Sequence, residues 1–274
     1  MIRTRKIQAS FAHIVLFLYA LTAVGPFIFL VRASFLGRYA LFQNFWSGLG
    51  QLTLANYGHL LFQSSFLRWT INTLIYAGVV TTLKIFMDTL AAYSFARKKF
   101  PGANFLFALI LGTMMVPPAV LMIPLFYLLV RLDWINTYHG LILPMLANPF
   151  GIFMMRQFIV SLPVELEDAA RIDGCSELAV FWKITFPLCK PGIAALAIVT
   201  FMWQWTAFFW PLVITSSDEM LTLTVGLSTM PTQYDVNWGL ITAGSFSSVI
   251  PIVAIFFLYQ RGFIEGLTFG ALKG

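Results

Sequence analysis

Residues 161–191 of the chain read SLPVELEDAARIDGCSELAVFWKITFPLCKP, and charged side chains cluster in this segment. Eight charged residues fall within it, whereas the stretches before and after it, 134–155 and 191–217, contain none. An apolar stretch of about 20 residues is long enough to cross the hydrocarbon core of a bilayer as a helix. The sequence therefore predicts a polar segment outside the membrane, between two transmembrane helices.

The polar segment has the local signals of two short helices joined by a turn. Pro163 and the acidic residues that follow it are typical of a helix start, which predicts a first helix over about 164–173. Gly174 suits the left-handed residue that ends a helix, and Ser176 can cap a second one. The second helix would carry an apolar stripe formed by Leu178, Phe181, Trp182 and Ile184. This helix-turn-helix is suited to docking against another protein.

The composition excludes a soluble protein. Of 274 residues, 59% are hydrophobic and only 10% are charged, whereas soluble domains have about 25% charged residues. The net charge of +6 comes from basic residues scattered in ones to threes. We interpret them as signals of orientation and contacts with anionic lipid, and we expect no nucleic-acid partner.

Six transmembrane helices account for the apolar stretches. Five stretches are free of charge, at 7–31, 100–130, 134–155, 191–217 and 236–260, and a sixth at 69–95 contains Lys84 and Asp88. The predicted spans are 11–31, 68–95, 104–130, 138–160, 192–214 and 241–261, and 68–261 is the core domain. The predicted cytoplasmic parts are the N-terminus (1–10), the loops 96–103 and 161–191, and the tail (262–274). The predicted extracytoplasmic loops are 32–67, 131–137 and 215–240. Prolines 117, 118, 124, 144 and 149 predict kinks in the third and fourth spans.

The first apolar stretch is predicted to remain as a transmembrane helix. At 7–31 it is longer than the roughly 7–15 apolar residues of a cleaved signal peptide. The two cysteines, Cys175 and Cys189, are too few for a disulfide scaffold, and we expect reduced thiols.

The basic residues predict that both termini are cytoplasmic. Twelve of the 17 would lie at or beyond the inner ends of the spans: Arg3, Arg5, Lys6, Arg97, Lys98, Lys99, Arg156, Arg171, Lys183, Lys190, Arg261 and Lys273. Four would lie outside: Arg32, Arg38, Arg68 and Arg131. This asymmetry agrees with the positive-inside rule.

The polar segment matches a known spacing. Asp168-Ala169-Ala170-x-x-x-Gly174, followed after nine residues by Ile184-x-Phe186-Pro187, resembles the Glu-Ala-Ala loop of the membrane subunits of binding-protein-dependent ABC importers. Asp168 stands where the pattern has Glu, and Phe186 where it has Leu. The resemblance implies a type I ABC importer permease fold, all-α and membrane-embedded. It also implies that the segment docks on an ATPase through Glu167, Asp168, Ala169, Ala170, Asp173 and Gly174.

From about residue 52 onward the chain resembles the six-span permease of carbohydrate importers of the maltose type. The similar stretches include Leu54-Ala55-Asn56-Tyr57, Asn72-Thr73-Leu74, Asn136-Thr137-Tyr138, Arg156-Gln157-Phe158 and the tail from Gly266. The fifth span departs from that family, because Thr206 and Ala207 stand where its members commonly have Asn and an acidic residue. This departure leaves the solute class open.

The resemblance implies that the chain works in a complex. We expect a homologous second permease, two cytoplasmic ATP-binding subunits and an extracytoplasmic solute-binding protein, in the cytoplasmic or inner membrane of a bacterium or archaeon. The sequence has no Gly-x-x-x-x-Gly-Lys-Ser/Thr motif. We therefore expect no catalytic residue, metal or cofactor in this chain, with ATP and Mg²⁺ bound by the partner ATPase subunits.

The candidate residues of the solute pathway are Gln204, Trp205, Thr206 and Asn72, because aromatic faces stack on sugar rings and amides bind hydroxyls. A sugar or oligosaccharide is the expected solute, and glycerol phosphate or a related polar solute is an alternative. Lys84 and Asp88 lie four residues apart and can form an ion pair within the membrane. They also motivate a more distant alternative, a proton-coupled carrier that uses Asp88.

Overall fold

The structure of the protein is a computed structural model that describes residues 2–37, 52–230 and 236–268. Within these ranges the chain is helical apart from turns and one isolated bridge between Leu36 and Leu52. The elements are α1 (Ile2–Ser34), α2 (Ala55–Phe62), α3 (Phe66–Arg97), α4 (Ala103–Thr113), α5 (Pro118–Arg131), α6 (Tyr138–Ile142) with a 3-10 turn (Leu143–Ala147), α7 (Phe150–Ser161), α8 (Glu165–Ile172), α9 (Glu177–Val180) with a π-helical turn (Phe181–Thr185), α10 (Phe186–Leu188), α11 (Lys190–Trp205), α12 (Phe209–Ile214), α13 (Leu223–Thr229) and α14 (Trp238–Thr268).

Three helices in the described ranges are long and apolar enough to cross a membrane by themselves: Ala12–Ser34 within α1, all of α3, and Trp238–Phe257 within α14. Three bent pairs reach that length together, Ala103–Thr113 with Pro118–Arg131, Tyr138–Ala147 with Phe150–Ser161, and Glu177–Leu188 with Lys190–Trp205. By length and composition the structure thus has three to six spans. The six-span division stays a prediction.

The third and fourth predicted spans, which we expected as single kinked helices, are each two helices. α4 and α5 meet at 94°, and the pair on either side of Asn148 and Pro149 meets at 43°. At each break the residue before a proline has extended backbone, with ψ 130° at Pro117 and ψ 120° at Asn148. A proline ring disfavours helical geometry in the residue before it, and this explains both positions.

The chain packs as two units, and the first consists of Met1–Leu67 with Gly226–Ile250. Its described core includes Asn56, whose amide donates to the carbonyls of Ser34 and Leu36 at 2.9 and 2.8 Å. These bonds satisfy carbonyls left open where α1 ends. The segment 38–51 of the predicted loop 32–67 lies outside the described residues.

The second unit consists of Arg68–Val225 with Pro251–Gly274. α3 contributes to two apolar clusters in it. Tyr76 and Val80 pack in a cluster with α5, α6 and α12, and Ala92 and Tyr93 pack in a cluster with α7, the π-helical turn and α11. The polar segment 161–191 adjoins the second cluster, and the break between α11 and α12 adjoins the first.

Candidate functional site

The polar segment folds as a helix-turn-helix. α8 ends at Ile172, and Gly174 has a φ of 83°, the left-handed conformation that glycine adopts without strain. The Ser176 hydroxyl accepts the Ala179 N–H at 3.3 Å and so caps α9. From α9 the chain continues through the π-helical turn and α10 into α11. The segment is therefore joined directly to the fifth predicted span at Cys189, where the helices on either side meet at 74°.

The buried side chain of Glu167 connects the polar segment to the C-terminal end of α3. Its side chain is only 2% exposed, and its carboxylate accepts from Arg97 Nε at 2.9 Å, from Arg171 Nη2 at 3.2 Å and from the Thr185 hydroxyl at 3.2 Å. Arg97 Nη2 also donates to the Leu162 carbonyl at 2.9 Å. One buried carboxylate thus joins the first arm of the segment, α8, to the second arm, Glu177–Leu188, and to the end of α3.

A second charge cluster closes the turn. Glu177 forms ion pairs with Lys98 and with Arg171, whose Nε lies 3.2 Å from its Oε1. Lys98 in the first place, and Arg171 after it, lower the pKa of Glu177 below its usual range. Arg171 also binds Asp168 at 2.7 Å. Because these groups are partly exposed, each pair contributes little stability alone, but together they fix the two arms relative to each other.

The outer surface of the helix-turn-helix is exposed and partly apolar, and Asp168, paired with Arg171, lies at its edge. Ile172 is 86% exposed and Leu178 is 66% exposed, and Ala169, Asp173 and Gly174 are exposed beside them. We call these five residues, with exposed Asp168, the outer face. Of the six residues predicted to dock, the structure places four on this face and directs Glu167 and Ala170 into the chain. Large exposed apolar side chains rimmed by polar ones are typical of a protein-binding surface.

Three of the predicted pathway residues lie where the fifth predicted span breaks. α11 ends at Trp205, which is buried and stacked on Phe201 with ring centroids 5.5 Å apart. The hydroxyl of Tyr76 donates to Gln204 Oε1. The Thr206 hydroxyl is exposed and donates back to the Met202 carbonyl at 2.8 Å. Unwound helices inside a transporter are typical of the solute pathway.

The break itself is stabilised by a side chain. Pro211 has no N–H, so it cannot donate to the Ala207 carbonyl four residues earlier. The hydroxyl of Thr224 donates to that carbonyl instead, at 2.6 Å. The segment 215–225 therefore helps to hold the break open.

Asn72, the fourth predicted pathway residue, has different partners. Its amide donates to the carbonyls of Glu219 and Leu221, both at 2.8 Å, and its oxygen accepts from the Tyr138 hydroxyl at 2.7 Å. With its side chain fully buried and these bonds made, Asn72 holds the segment 215–225 in place. The structure does not bring it together with Gln204.

Lys84 and Asp88 form an ion pair inside α3. Lys84 Nζ lies 2.8 Å from Asp88 Oδ2 and donates to the Asn148 carbonyl at 2.6 Å. Both side chains are almost fully buried. The pair therefore joins α3 to the break in the fourth predicted span.

Sequence reasoning missed several residues that build these sites. In the sequence Arg97 is only a signal of orientation, yet in the structure it anchors Glu167. In the sequence Asn136 is only part of a similar stretch, yet in the structure it has a φ of 57° and its Oδ1 accepts the N–H groups of Ser216 and Ser217 at 2.9 and 3.1 Å. For Asn136 the similar stretch Asn136-Thr137-Tyr138 is the one signal in the sequence. For Arg97 the sequence holds no signal of its contact, because Glu167 lies 70 residues away.

Broken apolar helices around buried polar contacts, joined to a helix-turn-helix with an exposed and partly apolar outer face, are features of a membrane permease subunit. The family of binding-protein-dependent transport system inner membrane components matches residues 85–262. The chain belongs to this family. It is a transmembrane permease subunit of a binding-protein-dependent importer, and the predicted class is confirmed.

Similar proteins support the same assignment. The chain is 39% identical to the arabinooligosaccharides transport system permease protein AraQ of Halalkalibacterium halodurans, with 93% of each chain covered. It is 33% identical to the sn-glycerol-3-phosphate transport system permease protein UgpE of Yersinia enterocolitica, over 98% of this chain and 99% of that one. A chain from the crystal structure of a bacterial ABC transporter involved in the import of the acidic polysaccharide alginate has the same fold, with a TM-score of 0.84, 24% identity, and coverage of 94% and 97%. The predicted all-α type I importer fold is confirmed.

Proposed function

We propose that this chain forms half of the pathway by which an ATP-driven importer takes up a sugar oligomer. A non-identical second permease would supply the other half, and two cytoplasmic subunits would bind Mg²⁺ and ATP and hydrolyse it. An extracytoplasmic binding protein would deliver the solute to a chain whose termini are both cytoplasmic, in a bacterial or archaeal cytoplasmic membrane. The observation that carries this proposal is the outer face, held rigidly by Glu167.

The contacts of Glu167 explain how force would reach the membrane. Movement of a docked ATPase subunit presses on the outer face. Because Glu167 is bonded to Arg97 at the end of α3 and to Thr185 in the second arm, α8 cannot move alone. The displacement passes into α3 and α11 as rigid units, and this is the rocking motion expected of such transporters.

The uncharged pathway supports a sugar as the solute. Away from the ends of the predicted spans, Lys84 is the one basic residue in their sequence, and the structure neutralises it with Asp88. The polar groups at the break in the fifth span, Gln204 and Thr206, are neutral hydroxyl-binding groups beside aromatic Trp205. The 39% identity to a permease for arabinooligosaccharides favours the same class.

Glycerol phosphate is the second candidate, because a relative of 33% identity transports it. A phosphate dianion crossing a dry pathway needs a cation or several N–H donors to replace its hydration. In the described part of the chain, Lys84 is occupied by Asp88 and Asn148. A phosphate-binding cation would therefore have to be a residue other than Lys84.

Uptake by the complete complex tests the proposal. The tagged chain is purified from its native membranes together with its bound subunits, and the complex is reconstituted in proteoliposomes with its binding protein. We expect a second permease and two ATP-binding subunits per complex, and ATP-dependent uptake of labelled arabinooligosaccharide. Uptake of glycerol phosphate alone would favour the second candidate. Uptake driven by a proton gradient without ATP, and lost in Asp88→Asn, would overturn the importer mechanism.

A further inference from the structure

The break between α6 and α7 is a joint in which both oxygen atoms of Asn148 accept hydrogen bonds. The side-chain oxygen of Asn148 accepts the N–H of Phe150 at 2.9 Å, at the start of α7. Its backbone carbonyl accepts from Lys84 Nζ at 2.6 Å. A carbonyl at a helix break within a membrane must be satisfied by the protein itself. Here α3 supplies the donor.

Asp88 and Gly151 fit this joint closely. Asp88 holds the Lys84 ammonium at 2.8 Å, and both side chains are 4% exposed. A Cβ atom on Gly151, in the first turn of α7, would lie 1.9 Å from Asp88 Oδ2. α7 can approach α3 this closely only because residue 151 is glycine.

The far end of α7 is bound to the same helix. Where α7 ends, Arg97 Nη2 donates to the Leu162 carbonyl at 2.9 Å. α7 is thus attached to α3 by a charged donor at each end, Lys84 at the joint and Arg97 beside the helix-turn-helix. Arg97 also binds Glu167. The attachment at Leu162 is therefore part of the polar segment 161–191, which we call the docking segment.

We propose that Lys84 is a positioning residue that fixes α7 to α3, so that movement of the docking segment turns the fourth span at the Asn148–Pro149 joint. This inference rests on the proposed function, because it assumes that ATPase subunits move the segment. Without the Lys84 contact the angle between α6 and α7 is free to vary. Movement of the C-terminal end of α7, beside Leu162, is then not transmitted to the solute pathway. Asp88 holds Lys84 beside the Asn148 carbonyl.

A different result is expected if Lys84 and Asp88 only neutralise each other and do not position α7. Replacing both members of a buried ion pair by apolar residues of similar volume is often neutral for stability. Lys84→Met with Asp88→Leu should then behave as the native protein. If Lys84 positions α7, the same double variant leaves the Asn148 carbonyl without its donor, whereas Asp88→Asn keeps Lys84 as that donor. Loss of a hydrogen bond from a charged group shifts a two-state equilibrium by about tenfold or more.

Two measurements on the complete complex test the inference. Electron–electron distance measurements between spin labels at exposed Leu143 and Val160, in a cysteine-free background, report the joint angle without transport. We expect a single narrow distance for the native sequence, a broad distribution for the double variant, and for Asp88→Asn, which keeps Lys84, a distribution narrower than that of the double variant. An unchanged narrow distribution in the double variant would overturn the inference, whatever the solute or energy source is.

The second measurement is the number of ATP molecules hydrolysed per solute imported. We expect this ratio to rise about tenfold in the double variant, with normal subunit composition, and to rise less in Asp88→Asn, which keeps the Lys84 donor. A native ratio in the double variant would also overturn the inference. If the native complex itself takes up no solute with ATP, the proposed function fails, and the distance measurement alone decides the role of Lys84.

Discussion

Replacing Glu167 by glutamine should loosen the docking segment without changing its outer face. The carboxylate is 2% exposed and contacts Arg97, 10% exposed, and Arg171, 29% exposed. Removing one partner of a buried ion pair costs about 3–5 kcal/mol. Arg97 still donates to the Leu162 carbonyl, and Arg171 keeps its ion pairs with Asp168 and Glu177. We therefore expect the free energy of local unfolding to fall by about 2–3 kcal/mol, at the low end of that range or below it.

Alkylation of Cys189 measures this loosening. The thiol is buried at the end of the docking segment, and burial raises its pKa to about 12, so it reacts only after local unfolding. The purified complex is heated with the alkylating reagent, and mass spectrometry of the Cys189 peptide gives the temperature at which half of the thiol is modified. This midpoint temperature should fall by roughly 4–12 °C in Glu167→Gln. Glu165→Gln is the matched control, because Glu165 is exposed on the same helix. Equal midpoints for the two variants would refute the anchoring role of Glu167.

Three further predictions concern the turn between the two arms. Gly174→Ala should lower the same midpoint by the equivalent of about 1–2 kcal/mol, because the φ of 83° is strained for alanine, and Gly174→Asn should lower it less; equal effects would contradict this. Cys175, which is half-buried, should react with maleimide in the folded protein at pH 7 while Cys189 does not, and the reverse order would contradict the fold of the segment. Because Lys98 lowers the pKa of Glu177, their contact stabilises the fold above the usual Glu pKa and is lost as the pH falls through the lowered value. The midpoint difference between the native protein and Glu177→Gln should therefore be present at pH 7, begin to shrink below about pH 4 and disappear once the pH is below the lowered pKa of Glu177, and a difference independent of pH would contradict the pairing.

The helix-turn-helix was predictable because its signals are local. The expected first helix over 164–173 is observed as Glu165–Ile172, and the turn glycine and the serine cap depend on neighbouring residues alone. The membrane class was likewise predictable, because it follows from composition.

The orientation of the acidic residues was not predictable. Glu165, Glu167, Asp168 and Asp173 are equivalent in the sequence, and only the position of Arg97, distant along the chain, distinguishes Glu167 as the buried one. A charge pattern states which residues can pair within a helix, and it does not state which of them meet a different helix.

The helix breaks were predictable in place but not in angle. The prolines at 118 and 149 identify both sites, yet one break bends the chain by 94° and the other pair by 43°. Proline removes a donor and restricts the preceding residue, while the angle depends on what satisfies the open carbonyls. At the second break that group is Lys84, for which the sequence showed only a partner four residues away.

Docking of the ATP-binding subunits on the outer face is the central claim, and Ala169→Trp tests it most directly. Ala169 is exposed on α8, so the larger side chain fits this chain and obstructs only a partner. We expect the purified variant to keep the second permease and lose both ATP-binding subunits and uptake, while Ala169→Ser keeps all of them. Native subunit composition and native uptake in Ala169→Trp would contradict the account.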